Sequence, residues 1–289
     1  MKITTLLENK TTCDALRCEH GLSLYIETAK HKILFDSGAS DAFWENARAL
    51  GIDLAQVDIA FLSHAHNDHC GGLLTFLRGN RTAKVYLQKE AFGDYYVVTP
   101  TKCAFIGLDP KLHEYADRFV MAEGVTKLDE ELTLFSGIRT HELLSEANAT
   151  LREKVGGDYP RDAFRHEQDL LVTEHGKTVL FAGCAHSGII NIINRAEDIL
   201  GRAPDYVFAG FHLYNPSVRA SREPLWTRWA SACARGRRRA TSPATAPATT
   251  LTPGCTKRWA TASPTWRPER PLRSDFLESE QRTWQTSRR

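Results

Sequence analysis

One stretch constrains this chain more than any other: Phe61-Leu62-Ser63-His64-Ala65-His66-Asn67-Asp68-His69-Cys70-Gly71-Gly72. A β-type apolar run ends at Leu62, and three imidazoles and a carboxylate follow within the six positions 64–69. His64 and His66 stand two apart in an extended segment, so they point the same way and can grip one metal ion. Asp68 and His69 come where the chain turns and can hold a second ion nearby. Gly71-Gly72 lets the backbone pass close to the site and start a helix over Leu73 to Leu77. A histidine-rich surface loop is the plain alternative. HxHxDH between an apolar strand and Gly-Gly is far more specific than HxH alone, and it points to a metal centre.

Up to residue 218 the chain reads as alternating strands and helices. Short β-branched or aromatic runs predict buried strands at Lys32 to Phe35, Val57 to Leu62, Lys84 to Leu87, Leu170 to Val172, Thr178 to Phe181 and Tyr206 to Phe208. Ser40 is a candidate N-cap for a helix running to Leu50, with Gly51 as its stop. Ser187 is a candidate cap for a second helix, where Ile189, Ile192, Ile193, Ala196, Ile199 and Leu200 follow the 3.6-residue period and Gly201 ends it. The fold class is α/β, a sandwich.

The motif closely resembles the signature of the metallo-β-lactamase superfamily, over roughly Met1 to Pro216. Asp36 in Phe35-Asp36-Ser37-Gly38 matches the superfamily's early strand-end Asp, and the resemblance implies that it supports the histidine ligands from behind. It also implies a four-layer αββα sandwich with two metal ions at one edge of the sheets. Glu19 to Leu24, Leu50 to Leu54, His166 to Leu170, Gly183 to Ile192 and Ala209 to Leu213 narrow the resemblance. They are similar to the branch that includes the enzyme joining a dihydropterin diphosphate to a ribofuranosylaminobenzene phosphate. Many members of that branch are known only as metal-dependent hydrolases.

Two ions need about six to eight protein donors, so the first motif is incomplete by itself. His186 is the best further candidate, with helix capping as its structural alternative. Cys184 stands where the superfamily often has an Asp bridging both metals; it is either a thiolate ligand or a small buried residue. His212 is read as a ligand or a substrate contact, and His141 as an occupant of the superfamily's middle histidine position. His20, His31, His113 and His175 are read as surface histidines and Cys70 as packing. Arg161, Arg165 and His166 could contact a phosphate, but a solvated basic face is the preferred reading.

Beyond residue 218 the composition changes. From Arg219 onward there are 15 basic residues against five acidic ones, leaving 22 basic and 30 acidic before it. All 11 histidines precede position 213, whereas five of the six tryptophans follow it. Two domains are therefore expected: a metallo-β-lactamase-like domain over 1–217, and an anomalous basic, low-complexity tail over 218–289 that reads as disordered. The branch's late Cys-His-Cys-Thr-Gly motif is missing. Yet one permitted coding of Ala240 to Thr249, read from its third base, translates as Tyr-Phe-Thr-Cys-His-Cys-Thr-Gly-Asp. We read the tail as the product of a frameshift near Ser217, which leaves the fold incomplete at its C-terminus; the DNA downstream of codon 215 decides this.

The expected function is a metal-dependent hydrolase using a metal-bound hydroxide on an ester, lactone or phosphoester, with Asp68 as ligand and catalytic carboxylate. The alternatives are the pterin-type transferase and a non-catalytic metal-binding protein inactivated by C-terminal damage. The cofactors expected are two divalent ions, zinc first, with iron or manganese as alternatives. The expected partner is a small molecule, phosphorylated in some of these readings. Neither nucleic acid nor membrane is expected: the basic residues form no patterned face, and no apolar run nears the roughly 18 residues a membrane helix needs. The seven cysteines, odd in number and without a CxxC pair, exclude a disulfide scaffold and make the cytoplasm the default compartment.

Overall fold

A computed structural model of the protein describes residues 1–212. The expectations for residues 218–289, including the frameshift, lie outside the described residues.

The chain begins with β1 (Lys2–Leu7), β2 (Ser23–Glu27) and β3 (Lys32–Phe35), then α1 (Ala42–Ala49) and β4 (Ile59–Phe61). The single turn α2 (Asn67–Cys70) and α3 (Leu73–Gly79) lead to β5 (Lys84–Gln88), β6 (Tyr95–Thr99) and β7 (Lys102–Phe105). Next come β8 (Phe119–Ala122), β9 (Val125–Lys127), β10 (Leu132–Ser136) and β11 (Leu151–Glu153). β12 (Gln168–Glu174), β13 (Lys177–Ala182), α4 (Ile189–Leu200) and β14 (Tyr206–Ala209) complete the described elements.

The first sheet has the order β1-β2-β3-β4-β5-β8 and the second β14-β13-β12-β10-β9. A smaller sheet, β11-β6-β7, lies apart from both. Side-chain alternation shows how the layers stack. In β3, Ile33 and Phe35 face a core shared with Leu132, Leu170, Val172 and Phe181, whereas Leu34 faces Phe43, Phe76 and Leu77 of α1 and α3. In β12 and β13, Leu171, Leu180 and Ala182 turn the other way, onto Ile189, Ile192 and Ala196 of α4. Both sheets are thus covered on two faces, which is why their strands read as continuous apolar runs. The order of layers is helix, sheet, sheet, helix, as expected.

Two helix starts differ from the expectation. α1 takes Asp41 as its N-cap, with the Ser40 hydroxyl accepting from the Ala42 amide at 3.1 Å. α4 takes Gly188 as its N-cap with no side-chain cap, and the Ser187 amide before it donates to Glu167 at 2.9 Å. No described helix is long and apolar enough to cross a membrane.

The topology gathers several loops at one edge. β3 and β4 are parallel neighbours, Phe35 opposite Phe61, so Asp36 and Ser63 leave the sheet side by side. β13 and β14 are also parallel, Ala182 opposite Ala209, so Cys184 and His212 leave at matching levels. β12 enters antiparallel at the same edge. Its first residue clasps the two large sheets: the Gln168 amide N–H donates to the Ser63 carbonyl at 2.8 Å, and its side-chain amide donates to Leu62 and Tyr86 carbonyls, each at 2.9 Å.

Candidate metal centre

The motif loop is crowded enough to dictate its glycines. A Cβ on Gly71 would come within 2.2 Å of the Ala39 carbonyl oxygen, and one on Gly72 within 2.2 Å of the Ser37 carbonyl oxygen. His66 caps α2 in an extended conformation, and Asp68 and His69 sit on that one turn. His64, His66, His69 and His186 are each at most 3% exposed.

The hydrogen-bond network offers each imidazole an anchor at one ring nitrogen. The Ser63 hydroxyl donates to Asp36 Oδ2 at 2.7 Å, so toward His64 Nδ1, 2.9 Å away, it acts as acceptor. His69 Nδ1 donates to the same Asp36 Oδ2 at 2.6 Å. His186 Nδ1 donates to Asn148 Oδ1 at 3.0 Å, and His66 Nε2 faces Asp162 Oδ2 at 3.3 Å. His64 and His186 are thus anchored at one nitrogen, with the other turned inward. His66 Nδ1 faces His186 Nε2 across 3.2 Å, and His64 Nε2 is buried without a partner. His69 Nε2 lies 3.2 Å from Cys184 Sγ and 3.6 Å from Asp68 Oδ2.

Lone pairs gathered this way could hold a cation between them. Ligand atoms of His64, His66 and His186 lie within 4.8 Å of one another, as do those of His64, His69 and Cys184, and those of Cys184, His186 and His212. Protonation is a poor substitute for a metal: burial, then the neighbouring imidazoles, hold His64 and His186 well below the usual imidazole range. Burial and His66 bring His212 down to about 4. His69 goes the other way; burial opposes its charge, but Cys184, Asp36 and Asp68 outweigh it and raise it well above that range. Burial also opposes the charge on Asp68, and His69, His66 and His20 outweigh it. The donors are soft nitrogen and sulfur with one carboxylate, which suits zinc or a similar divalent ion.

The sequence candidates therefore converge, with one exception. Asp36, His64, His66, Asp68, His69, Cys184, His186 and His212 all gather at the same edge of the sheets. Cys184 belongs to two of the donor groups, and the buried Nε2 of His212 lacks a partner. His141 is exposed and takes no part in these groups. Cys70 is buried in the core beside α3, as packing. His113 and His175 are exposed, but His31 is largely covered between Asp58 and Asp129. Exposed His20 stands 3.4 Å from Asp68.

The basic-face reading holds for Arg161 and Arg165, which are exposed, and fails for His166, which is 1% exposed. Its Nδ1 accepts from the Ala65 amide at 3.0 Å, and its Nε2 donates to Asp162 Oδ2 at 3.0 Å. Sequence reasoning missed Asp162, Glu167 and Asn148. Both Glu167 oxygens accept backbone amides, from His186 at 2.6 Å and Ser187 at 2.9 Å, and so set the loop that carries His186. Asp36, Phe164, Ala185 and His212 all hold positive φ, at 58°, 52°, 52° and 41°. Such conformations cost about 1–3 kcal/mol each and gather where a site needs them.

Residues 16–99 match the family model described as the metallo-beta-lactamase superfamily. An uncharacterized protein of Methanocaldococcus jannaschii is 29% identical over 221 residues, spanning 73% of this chain and 80% of its own length. The 7,8-dihydropterin-6-methyl-4-(beta-D-ribofuranosyl)-aminobenzene-5'-phosphate synthase of the same organism is 28% identical over 229 residues, 74% of this chain and 78% of its own. Among solved structures, Tm1679, a metal-dependent hydrolase of the beta-lactamase superfamily, is similar with a TM-score of 0.66 at 27% identity. That likeness covers 81% of this chain and 84% of Tm1679.

Proposed function

This chain carries a metallo-β-lactamase superfamily domain, and from that premise we propose that it is a metal-dependent hydrolase of a small ester, lactone or phosphoester. The observation that carries the reading is the buried, partnerless Nε2 of His64 beside His66 Nδ1 and His186 Nε2, which face each other across 3.2 Å. Leaving such groups unmatched costs about 1–3 kcal/mol each, and a divalent cation matches all three at once.

His64 Nε2, His66 Nδ1 and His186 Nε2 would hold one ion. Asp68 and His69 would hold the other, with Cys184 between the two groups and His212 beyond it. Zinc is the first choice for both. When bound, such ions lower the pKa of a water toward about 7 and polarise a carbonyl or phosphoryl oxygen. The chain's own residues do the rest. Asp36 and Asn148 fix which nitrogen His69 and His186 present. Asp68, 17% exposed at its side chain, faces both the site and solvent and can take a proton from the nucleophile or steer it. Phe164, parallel to His186 with ring centres 4.8 Å apart, provides an apolar wall.

Metal analysis of the purified protein, followed by phosphodiester and lactone screens, tests this. Loss of bound metal in His66→Ala with activity unchanged would contradict it. A second reading is favoured by the similarity to the synthase: transfer of a dihydropterin from its diphosphate to a ribofuranosylaminobenzene phosphate. There the ions held by the same residues would bind the departing diphosphate and stabilise its developing charge. Incubation with the two substrates separates the readings. Metal bound without turnover in either assay would favour the non-catalytic reading.

A further inference from the structure

His66 has two competing ways to carry its proton. With hydrogen on Nδ1 it would donate across 3.2 Å to the bare Nε2 of His186, and the site would satisfy itself without any metal. With hydrogen on Nε2 it donates to Asp162, and Nδ1 stays open. We propose that Asp162, held in place by His166, decides this contest, so that the pair keeps the first ion's site open for metal. This rests on the reading of His64, His66 and His186 as ligands of that ion.

The argument is geometric. Asp162 is 7% exposed and its Oδ1 accepts from the Phe164 amide at 2.7 Å, which leaves Oδ2 for both His66 and His166. His166 cannot rotate away, because its Nδ1 is already the acceptor for the Ala65 amide inside the motif loop. The chain of contacts therefore closes on itself: Ala65 to His166, His166 to Asp162, Asp162 to His66, one residue from the start. A hydrogen bond to a buried carboxylate is about twice as strong as one between neutral groups, so the Nε2–H form of His66 prevails over the bond to His186. A lone pair on Nε2 would instead face the carboxylate and repel it. His66, Asp162 and His166 also lie close enough to be read as a metal trio. That reading fails, because the His166 nitrogen facing Asp162 carries the hydrogen and has no lone pair to offer. Asp162 and His166 are positioning residues, acting on metal through His66.

Nitrogen-15 histidine spectra of the metal-free full-length protein test the proposal directly, together with zinc affinity from chelator competition. Wild type is expected to show His66 protonated at Nε2. Asp162→Asn can donate its amide to Nε2, so His66 is expected to shift its hydrogen to Nδ1, and first-ion affinity to fall by about 10–100-fold. His166→Gln, whose amide can both accept from Ala65 and donate to Asp162, should retain most of that affinity. A wild-type His66 protonated at Nδ1 overturns the proposal. So does Asp162→Asn with unaltered zinc affinity, or a loss that merely follows a lower melting temperature of the metal-free protein. If wild type binds no metal, the hydrolase reading fails instead, and the proton's position on His66 still answers the question posed here.

Discussion

Asp36 Oδ2 accepts a 2.6 Å hydrogen bond from His69 Nδ1, although 33 residues separate them. The parallel pairing of β3 with β4 makes that contact, because Asp36 leaves its strand beside the loop that bears the histidines. The same carboxylate accepts the Ser63 amide and the Ser63 hydroxyl, both at 2.7 Å. Asp36→Ala therefore leaves three buried donors unmatched. It should lower the stability of the metal-free protein by on the order of 3 kcal/mol and weaken the second ion by about 10–100-fold. Urea denaturation and zinc competition measure both. Full zinc affinity in this variant would show that His69 needs no orienting partner.

Gly183 is predicted to be as demanding as a ligand. A Cβ there would stand 2.1 Å from Ser63 Oγ and 2.9 Å from His64 Nδ1. Gly183→Ala must push the imidazole of His64 off its anchor, at a cost of about 1–3 kcal/mol. The first ion should bind much more weakly. Gly157→Ala, with nothing within 4 Å of its added Cβ, is the matched control and should behave as wild type. Crystallographic metal occupancy compares them, and equal occupancy in both variants would refute the prediction.

The parts of this molecule that were legible in the sequence are those written in consecutive residues. Lys32–Phe35 and Thr178 to Phe181 showed their apolar runs because both faces are buried, and the motif loop showed its chemistry because its donors lie within one short stretch. Asp162 and His166 were not legible. Their contact with His66 arises only when β12 enters antiparallel beside β4's exit, and no spacing in the chain encodes that approach. The small sheet was missed for a related reason. Most of Lys102–Phe105 is exposed, so the strand carries no apolar face to read. His141 was weighed by analogy of order along the chain; the fold fills the place beside His64 and His66 with His186 instead.

A third prediction concerns the opposite end of the sandwich. His31 bridges the two large sheets there, with Nδ1 3.2 Å from Asp58 and Nε2 2.6 Å from Asp129. Burial opposes its charge, yet the hydrogen bonds to Asp129 and Asp58 outweigh it and raise His31 above the usual imidazole range. Burial likewise opposes Asp129, and His31 outweighs it, so that carboxylate is lowered. The signs follow. The His31 contribution is fully present below the unfolded imidazole value of about 6.5 and fades as pH rises through the raised folded value. The Asp129 contribution is present above the unfolded carboxylate value of about 3.9 and fades as pH falls through the lowered one. His31→Asn should thus cost on the order of 1 kcal/mol near pH 5.5 and progressively less toward pH 9. Denaturant titrations of both proteins across that range give the difference. A gap that widens with pH would contradict the sign.

The last prediction separates stability from metal binding at His64. Its ring is fully buried, its Nδ1 donates to Ser63, and its Nε2 has no partner. Ser63 does not depend on that bond, since its own hydrogen goes to Asp36. In metal-free protein the bare nitrogen is therefore a burden, and replacing it with apolar surface removes an unmatched acceptor worth about 1–3 kcal/mol. His64→Leu should leave the metal-free protein as stable as wild type or somewhat more so. With zinc the order reverses, because wild type gains about 4 kcal/mol when free ion exceeds its dissociation constant a thousandfold, and the variant forgoes the share owed to the first ion. Paired denaturation curves, with chelator and with zinc, expose the crossing. If His64→Leu instead destabilises the chelated protein by more than about 2 kcal/mol, the histidine serves the fold itself, and its inward nitrogen is not reserved for a cation.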